Sequence, residues 1–408
     1  MIYHVSDFLT ALFLVFLVLG MMRLIFMYVL TFREKRAENR RNYAPIDAAT
    51  APAVSIIVPG YNEEVNIVRT ITTLKQQDYP NLHIYFVDDG SKDHTLERVR
   101  EAFDTDDKVT VLAKKNGGKA SALNYGIAAC RSEYVVCIDA DTQLKQDAVS
   151  RLMKHFIADK DKRIGAVAGN VKVGNQRNML TYWQAIEYTS SQNFDRMAYS
   201  NINAITVVPG AIGAFRKEVI EEVGGFTTDT LAEDCDLTMS INEHGYIIEN
   251  ENYAVAMTEA PETLRQFVKQ RIRWCFGVMQ AFWKHRSSLF SPSKKGFGLW
   301  AMPNMLIFQY IIPTFSPLAD VLMLIGLFSG NALQIFFYYL IFLLIDASVS
   351  IMAYIFEGER LWVLLWVIPQ RFFYRWIMYY VLFKSYLKAI KGELQTWGVL
   401  KRTGHVGE

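Results

Sequence analysis

An excess of charge of one sign is what this chain most clearly lacks. Its 408 residues carry 43 Lys and Arg against 41 Asp and Glu. A chain so balanced has no concentrated basic surface with which to grip nucleic acid, so no nucleic-acid partner is expected. Cysteine is scarce as well. Cys130, Cys137, Cys235 and Cys275 are the only four, and none stands in CxxC spacing. Neither a disulfide framework nor a zinc site is therefore expected. The first apolar stretch has no small-residue cleavage site behind it, and its basic cluster lies after it rather than before it. Both features exclude a cleaved secretory signal.

Apolar runs, by contrast, are abundant. Residues 8–31 are mostly apolar, long enough to cross a bilayer at about 20 residues per span. "FREKRAENRR" comes next and by the positive-inside rule puts the downstream residues in the cytoplasm, on the inner face of a cell (inner or plasma) membrane. Residues 303–328 and 331–356 read as further spans, and 361–387 as a third, divided segment carrying Pro369, Arg371 and Arg375. Charges there are costly unless they face protein or water. Snorkelling to headgroups and lining a polar passage both remain open readings. The number of C-terminal crossings also stays open, because three would place the tail "LKRTGHVGE" outside. Three parts are expected: 1–49, an anchor helix with a basic juxtamembrane segment; 50–290, a soluble domain; and 291–408, interfacial and transmembrane helices with a basic tail.

Within 50–290, strand-like and helix-like runs alternate. "VSIIVPG", "HIYFVDD", "KVTVLA" and "YVVCIDAD" are β-branched runs, separated by "NIVRTITTLKQQ", "LERVREAF" and "KASALNYGIAAC" with helical apolar spacing. That alternation predicts an α/β fold with an open, largely parallel sheet, whose ligands bind beyond the carboxyl ends of its strands. Acids collect at those ends: Glu63, the pair Asp88 and Asp89, and the pair Asp139 and Asp141. A single "DDGS" is an ordinary turn. Several acids along one edge repel one another unless a cation or ligand offsets them. In an extended strand end "DAD" would put two carboxylates on one face, a donor set suited to Mg²⁺ or Mn²⁺.

Taken in order, "PGYNEE", "VDDGS", "NGGKASALNYG", "DAD", "AED" and "QRIRW" resemble the motifs of the processive, membrane-embedded family 2 glycosyltransferases. That family includes the cellulose, chitin, hyaluronan and poly-N-acetylglucosamine synthases. The resemblance covers the soluble domain almost end to end and implies a GT-A-like fold acting on a UDP-sugar. It assigns Pro59, Tyr61, Glu63 and Asp89 to the uridine with Asp88 beside them. Lys119 would reach the nucleotide, Asp139 the ribose or metal, and Asp141 the metal, Mg²⁺ or Mn²⁺. Asp234 would be the catalytic base, supported by Glu233. Gln270, Arg273 and Trp274 of "QRIRW" would lie where a growing chain meets the donor, Arg273 on the pyrophosphate and Trp274 under the terminal sugar. Gly210, with Pro209, Ala211 and Gly213, would floor the acceptor side. Acids are also favoured at a helix N-terminus for structural reasons, which alone accounts for Asp236. The 267–286 stretch also fits an interfacial amphipathic helix, with Lys269 and Arg271 only snorkelling.

The resemblance thus implies an inverting, processive enzyme that extends a β-linked polysaccharide, with UDP-N-acetylglucosamine as the leading donor. Its partners would be the UDP-sugar, the growing polymer, the bilayer and accessory export or modification proteins. Poly-N-acetylglucosamine synthases carry a glycine pair after the Arg-Trp, whereas this chain has Gly277 alone. Hyaluronan, chitin, cellulose and other β-glucans therefore stay open as products. Two alternatives differ in class: a non-processive transferase working on a lipid acceptor, and an inactive export or scaffold subunit.

Overall fold

The computed structural model describes residues 2–41, 43–327, 332–391 and 404. The helix α1 (Ile2–Arg40) leads into β1 (Val54–Gly60), α2 (Ile67–Lys75), β2 (Leu82–Asp88), α3 (Thr95–Phe103), β3 (Val109–Ala113), α4 (Lys119–Ala129) and β4 (Tyr134–Cys137). Next come β5 (Gln143–Leu144), α5 (Ala148–Ala158), β6 (Ile164–Val173), α6 (Met179–Glu187), α7 (Phe194–Ser200), β7 (Gly213–Arg216) and α8 (Lys217–Glu222). The helix α9 (Glu233–Glu243), β8 (Ile247–Thr258) and α10 (Leu264–Lys284) follow. Beyond them lie α11 (Met302–Asn304), α12 (Ile312–Leu327), α13 (Ala332–Glu357) and α14 (Val367–Lys391).

All eight strands form one sheet in the order β3-β2-β1-β4-β7-β6-β8-β5. The half expected from the sequence, β3-β2-β1-β4, is parallel. The other half corrects the expectation of a largely parallel sheet. β7 runs antiparallel between β4 and β6, and β5 pairs antiparallel with β8, so the sheet is mixed. β7 comes after a turn that closes at Ile212 N–H to Pro209 O, so it enters from the carboxyl end of β4 and must run the opposite way.

Both faces of the sheet are covered, which is why its central strands read as unbroken apolar runs. Alternate residues of β1 serve opposite layers. Val54, Ile56 and Val58 pack with Ile67, Ile71, Leu74, Val99 and Phe156 of α2, α3 and α5. Ile57 faces Leu123 and Ile127 of α4 and joins a core that includes Leu237 and Ile241 of α9. Met27 and Leu30 of α1 lie in that second core, as do Phe297, Ala301 and Met302. The end of α1 is thus docked on the domain and is not a free juxtamembrane arm. Arg23 fixes the docking, with Nη2 2.9 Å from Asp195 of α7 and Nε 2.9 Å from Asn304.

Among the described residues, one helix is long and apolar enough to cross a membrane by length and composition, over Val15–Arg40. α12, α13 and α14 occupy the three C-terminal apolar stretches, and the third is divided, a 3₁₀ segment Leu361–Trp366 preceding α14. Arg375 faces protein, 3.3 Å from Asp320 of α12. The tail from 392 onward, apart from Gly404, lies outside the described residues, and so does the expectation placed on it.

Candidate active site

The edge at the carboxyl ends of the parallel strands is assembled by bonds between the loops that follow neighbouring strands. Beyond β1, Asn62 adopts a left-handed conformation (φ 57°), which asparagine tolerates. Its N–H donates to Ser91 Oγ at 3.0 Å, and its side-chain oxygen accepts from Lys92 N–H at 2.8 Å. Buried Glu63 comes next, its N–H donating to Thr95 Oγ1. Pro59 is buried at the end of β1 and Tyr61 is half-buried beside it. Asp88 Oδ2 caps the next turn by accepting from Gly90 and Ser91 N–H, both at 3.1 Å. Its other oxygen, Oδ1, is buried with no hydrogen-bond partner among the described residues. A buried bare acceptor is costly unless something donates to it, and the imide N–H of a pyrimidine base is a donor of the right kind.

Asp89 is deployed differently. Its carboxylate accepts from Gly117 and Gly118 N–H, the latter at 2.7 Å, and from Lys114 at 2.8 Å. The glycine-rich loop is thereby held against the end of β2, and Gly118, at φ 86°, turns it into α4. Lys114 is a member of this edge that the sequence reading missed, although its place one residue beyond β3 was a usable signal.

"DAD" is not an extended strand end. β4 stops at Cys137, and Thr142 N–H closes onto Asp139 O at 3.0 Å, so Asp139 to Thr142 form a tight turn. Asp139 stays partly exposed, whereas Asp141 is buried. Among the described residues no three acidic, histidine or cysteine side chains gather to hold a metal by themselves. Two carboxylates, one of them buried, still fit a hard cation that takes its remaining ligands from phosphates and water.

The two sides of the site meet at Gly210. A Cβ placed there would lie 2.5 Å from Lys119 Nζ, 3.5 Å from Asp234 Oδ2 and 3.6 Å from Asp139 Oδ1. Gly210 N–H donates to Asp234 Oδ2 at 3.2 Å, and Lys119 Nζ is 2.6 Å from Asp139 and 3.1 Å from Glu233. The ammonium therefore bridges Asp139 on one side and Glu233 on the other. Burial works against its charge, but Asp139, Glu233 and Asp234 outweigh it and hold Lys119 well above the usual range. Glu233 and Asp234 occupy the first turn of α9, where the helix dipole favours them. Burial and then the neighbouring Glu233 push the Asp234 carboxyl up to about 6, with Lys119 and the Cys235 N–H opposing. A carboxylate with that affinity for protons suits general-base work near neutral pH.

α10 carries "QRIRW" on one continuous helix, begun by Thr263, whose side chain caps Gln266 N–H. Trp274 is half-buried beside Tyr188, with ring centroids 6.3 Å apart, and Arg273 is half-buried. Gln270 is buried, its Oε1 without a partner among the described residues. Arg271 corrects the snorkelling expectation. It is 4% exposed, ion-paired with Glu187 of α6, and stacked over Trp274 with 4.7 Å to the ring centroid. Tyr374 of α14 donates to the same Glu187. Arg271 therefore helps tie the domain to the C-terminal helices, a role that no local sequence signal announces.

A bare buried acceptor, a glycine-rich loop and a carboxylate pair thus share one edge of a GT-A-like sheet with a carboxyl raised toward neutrality. Residues 55–224 match the family model described as Glycosyl transferase family 2. The chain is similar to the poly-beta-1,6-N-acetyl-D-glucosamine synthase of Staphylococcus epidermidis, 31% identical over 62% of each chain. The enzyme of the same name from Staphylococcus aureus (strain COL) is 32% identical over 64% of this chain and 61% of that one. The match thus spans about three fifths of the length of these curated relatives. Among solved structures, the mannosyltransferase PcManGT from Pyrobaculum calidifontis, in complex with GDP-Man and Mn²⁺, shares the fold. Its TM-score is 0.61 at 23% identity, covering 88% of this chain and 98% of that one.

Proposed function

We propose that the protein is a membrane-embedded, inverting, processive glycosyltransferase that extends a β-linked polysaccharide from a UDP-sugar. UDP-N-acetylglucosamine is the leading donor, on the strength of the curated relatives' names. The observation that carries the reading is the convergence of Asp139, Lys119 and Asp234 around the bare α-carbon of Gly210. Glycine leaves room there for a sugar between the donor edge and the base.

In this reading Asp88 Oδ1 receives the uracil N–H, while Pro59, Tyr61 and Glu63 wall the uridine. The Asp89-anchored loop of Gly117 and Gly118 brings Lys119 to the sugar diphosphate. Asp139 and Asp141 would hold Mg²⁺ or Mn²⁺, which when bound offsets charge growing on the departing diphosphate. Asp234 takes the proton of the acceptor hydroxyl as its oxygen bonds to the anomeric carbon. The bond from that carbon to the diphosphate oxygen breaks on the opposite face, and UDP leaves with the electron pair. Glu233 and Lys119 hold Asp234 in place. Arg273 offers a planar fork of donors to phosphate, Trp274 an apolar face for the terminal ring, and Gln270 its orphaned oxygen to a sugar hydroxyl. α1 and the C-terminal helices would carry the product across the bilayer, with the domain on the cytoplasmic side.

The test is UDP release by the purified protein in lipid with Mg²⁺ or Mn²⁺ over a panel of UDP-sugars, with Asp234→Asn alongside. One donor giving release that the variant abolishes supports the reading and names the sugar. Release that survives in Asp234→Asn removes Asp234 as base, and silence from every donor favours the export or scaffold alternative.

A further inference from the structure

Helix α10 touches more than the acceptor. Arg273, Gly277, Gln280 and Lys284 are spaced i, i+4, i+7 and i+11, so they share one face of the helix. Below Arg273, that face lies along the loop that delivers Asp234. A Cβ on Gly277 would sit 2.7 Å from Ala232 N and 2.8 Å from Leu231 C, distances that real Cβ atoms do not reach without something moving. Ala232 is the N-cap of α9, two residues before Asp234, and has no side chain to cap with. Gln280 Oε1 accepts from Leu231 N–H at 3.1 Å. Lys284 Nζ reaches Asp236 at 2.9 Å and Asp229 at 3.1 Å. At the end of the face, buried His285 lies between Asp236 (3.0 Å) and Glu243 (2.8 Å), one carboxylate from each end of α9.

We propose that Gly277, Gln280 and His285 are positioning residues, which fix the N-terminus of α9 against α10 and so set Asp234 at one distance from Arg273 and Trp274. The proposal rests on Asp234 being the base. Its physical content is that donor-independent contacts, not the bound sugar, determine where the base stands. The single glycine after the Arg-Trp then has a structural purpose: only a residue without Cβ lets the backbone of α10 press on the peptide joining Leu231 to Ala232. A displacement of the base by about 1 Å is enough to cost about 100-fold in rate.

The full chain in lipid is compared with Gly277→Ala, Gln280→Ala, Gln280→Glu and His285→Gln, measuring kcat, the donor KM, UDP affinity by calorimetry and the melting temperature. In Gly277→Ala, kcat is expected to fall about 100-fold, with UDP affinity and donor KM at the wild-type level. Gln280→Ala is expected to lose about tenfold in kcat. Gln280→Glu, which keeps an acceptor for Leu231 N–H, recovers most of it. A merely structural role predicts lost melting temperature and UDP binding in step with kcat, and that pattern overturns the proposal. So does wild-type kcat in Gly277→Ala, or Gln280→Glu as impaired as Gln280→Ala. Should Gly277→Ala fail to fold, the Gln280 pair decides. A wild type that binds no UDP and turns over no donor overturns the transferase reading itself, a result distinct from any ranking of the variants.

Discussion

The two halves of the site are built by different means. On the proposed donor side, the acids Asp88 and Asp89 sit at a strand end and accept from backbone N–H groups. Asp88 caps its own turn, and Asp89 holds the loop of Gly117 and Gly118. On the proposed acceptor side, Asp234, Arg273 and Trp274 ride on two helices, α9 and α10, joined by contacts between them. Those contacts are Gly277 on Ala232, Gln280 on Leu231 and His285 between two carboxylates. The first half resembles a preformed cradle, since its bonds join the loops that follow adjacent parallel strands. The acceptor half depends on tertiary packing, so distant substitutions should disturb it more readily.

The largest effect expected from this contrast is at the base. Asp234→Asn should lower kcat by about 10²–10⁴-fold while UDP binding, measured by calorimetry, stays at the wild-type level. A parallel loss of UDP binding would mean that the halves are not separable. In the wild type, kcat should fall roughly tenfold per pH unit as pH drops below about 6. The sign comes from the role, because a base must be ionised and the raised value is where Asp234 takes up its proton.

Next in size is the strut behind the acceptor helix. Arg271→Leu leaves Glu187 without its buried partner and should cost about 3–5 kcal/mol of stability, read as a lowered melting temperature. An unchanged melting temperature would show that α10 does not need its tie to α6 and α14. On the donor side, Asp88→Ala should raise the donor KM by about 10–100-fold with kcat little changed, the mirror image of Asp234→Asn.

The smallest effect concerns His285. Burial opposes its charge, but Asp236 and Glu243 hold the imidazolium to about 9. Its contribution to stability is therefore complete below the unfolded value and fades as pH rises through about 9. Lys284 and Lys294 also face this pair of carboxylates. The wild-type melting temperature should sag across that limb, and His285→Gln should flatten it.

The same contrast explains how much of the molecule was legible in its sequence. β1, β2 and β4 announce themselves as apolar runs ending in acids, so the row of acids at the strand ends is legible from local pattern alone. The antiparallel insertion of β7 is not, because "GAFR" is four residues whose direction is set by the turn at Pro209. "DAD" misled for a similar reason: one amide, Thr142 N–H, folds it into a turn. Local pattern also does not show that Lys119 stands between Asp139 and Glu233. Arg271 looked interfacial because spacing cannot say that Glu187 waits across the seam. Asp234 and "QRIRW" were recognisable only by resemblance, and their mutual placement is a fact of tertiary structure.

The most direct test of the central claim, a transferase that retains and lengthens its product, is product analysis with the protein in sealed vesicles. These are supplied with labelled UDP-N-acetylglucosamine and Mg²⁺ or Mn²⁺ on the domain side, and chain length is compared between wild type and Trp274→Ala. The account predicts long polymer from the wild type at low substrate consumption, and short products from the variant. A single sugar on a lipid acceptor, with length indifferent to Trp274, would contradict it.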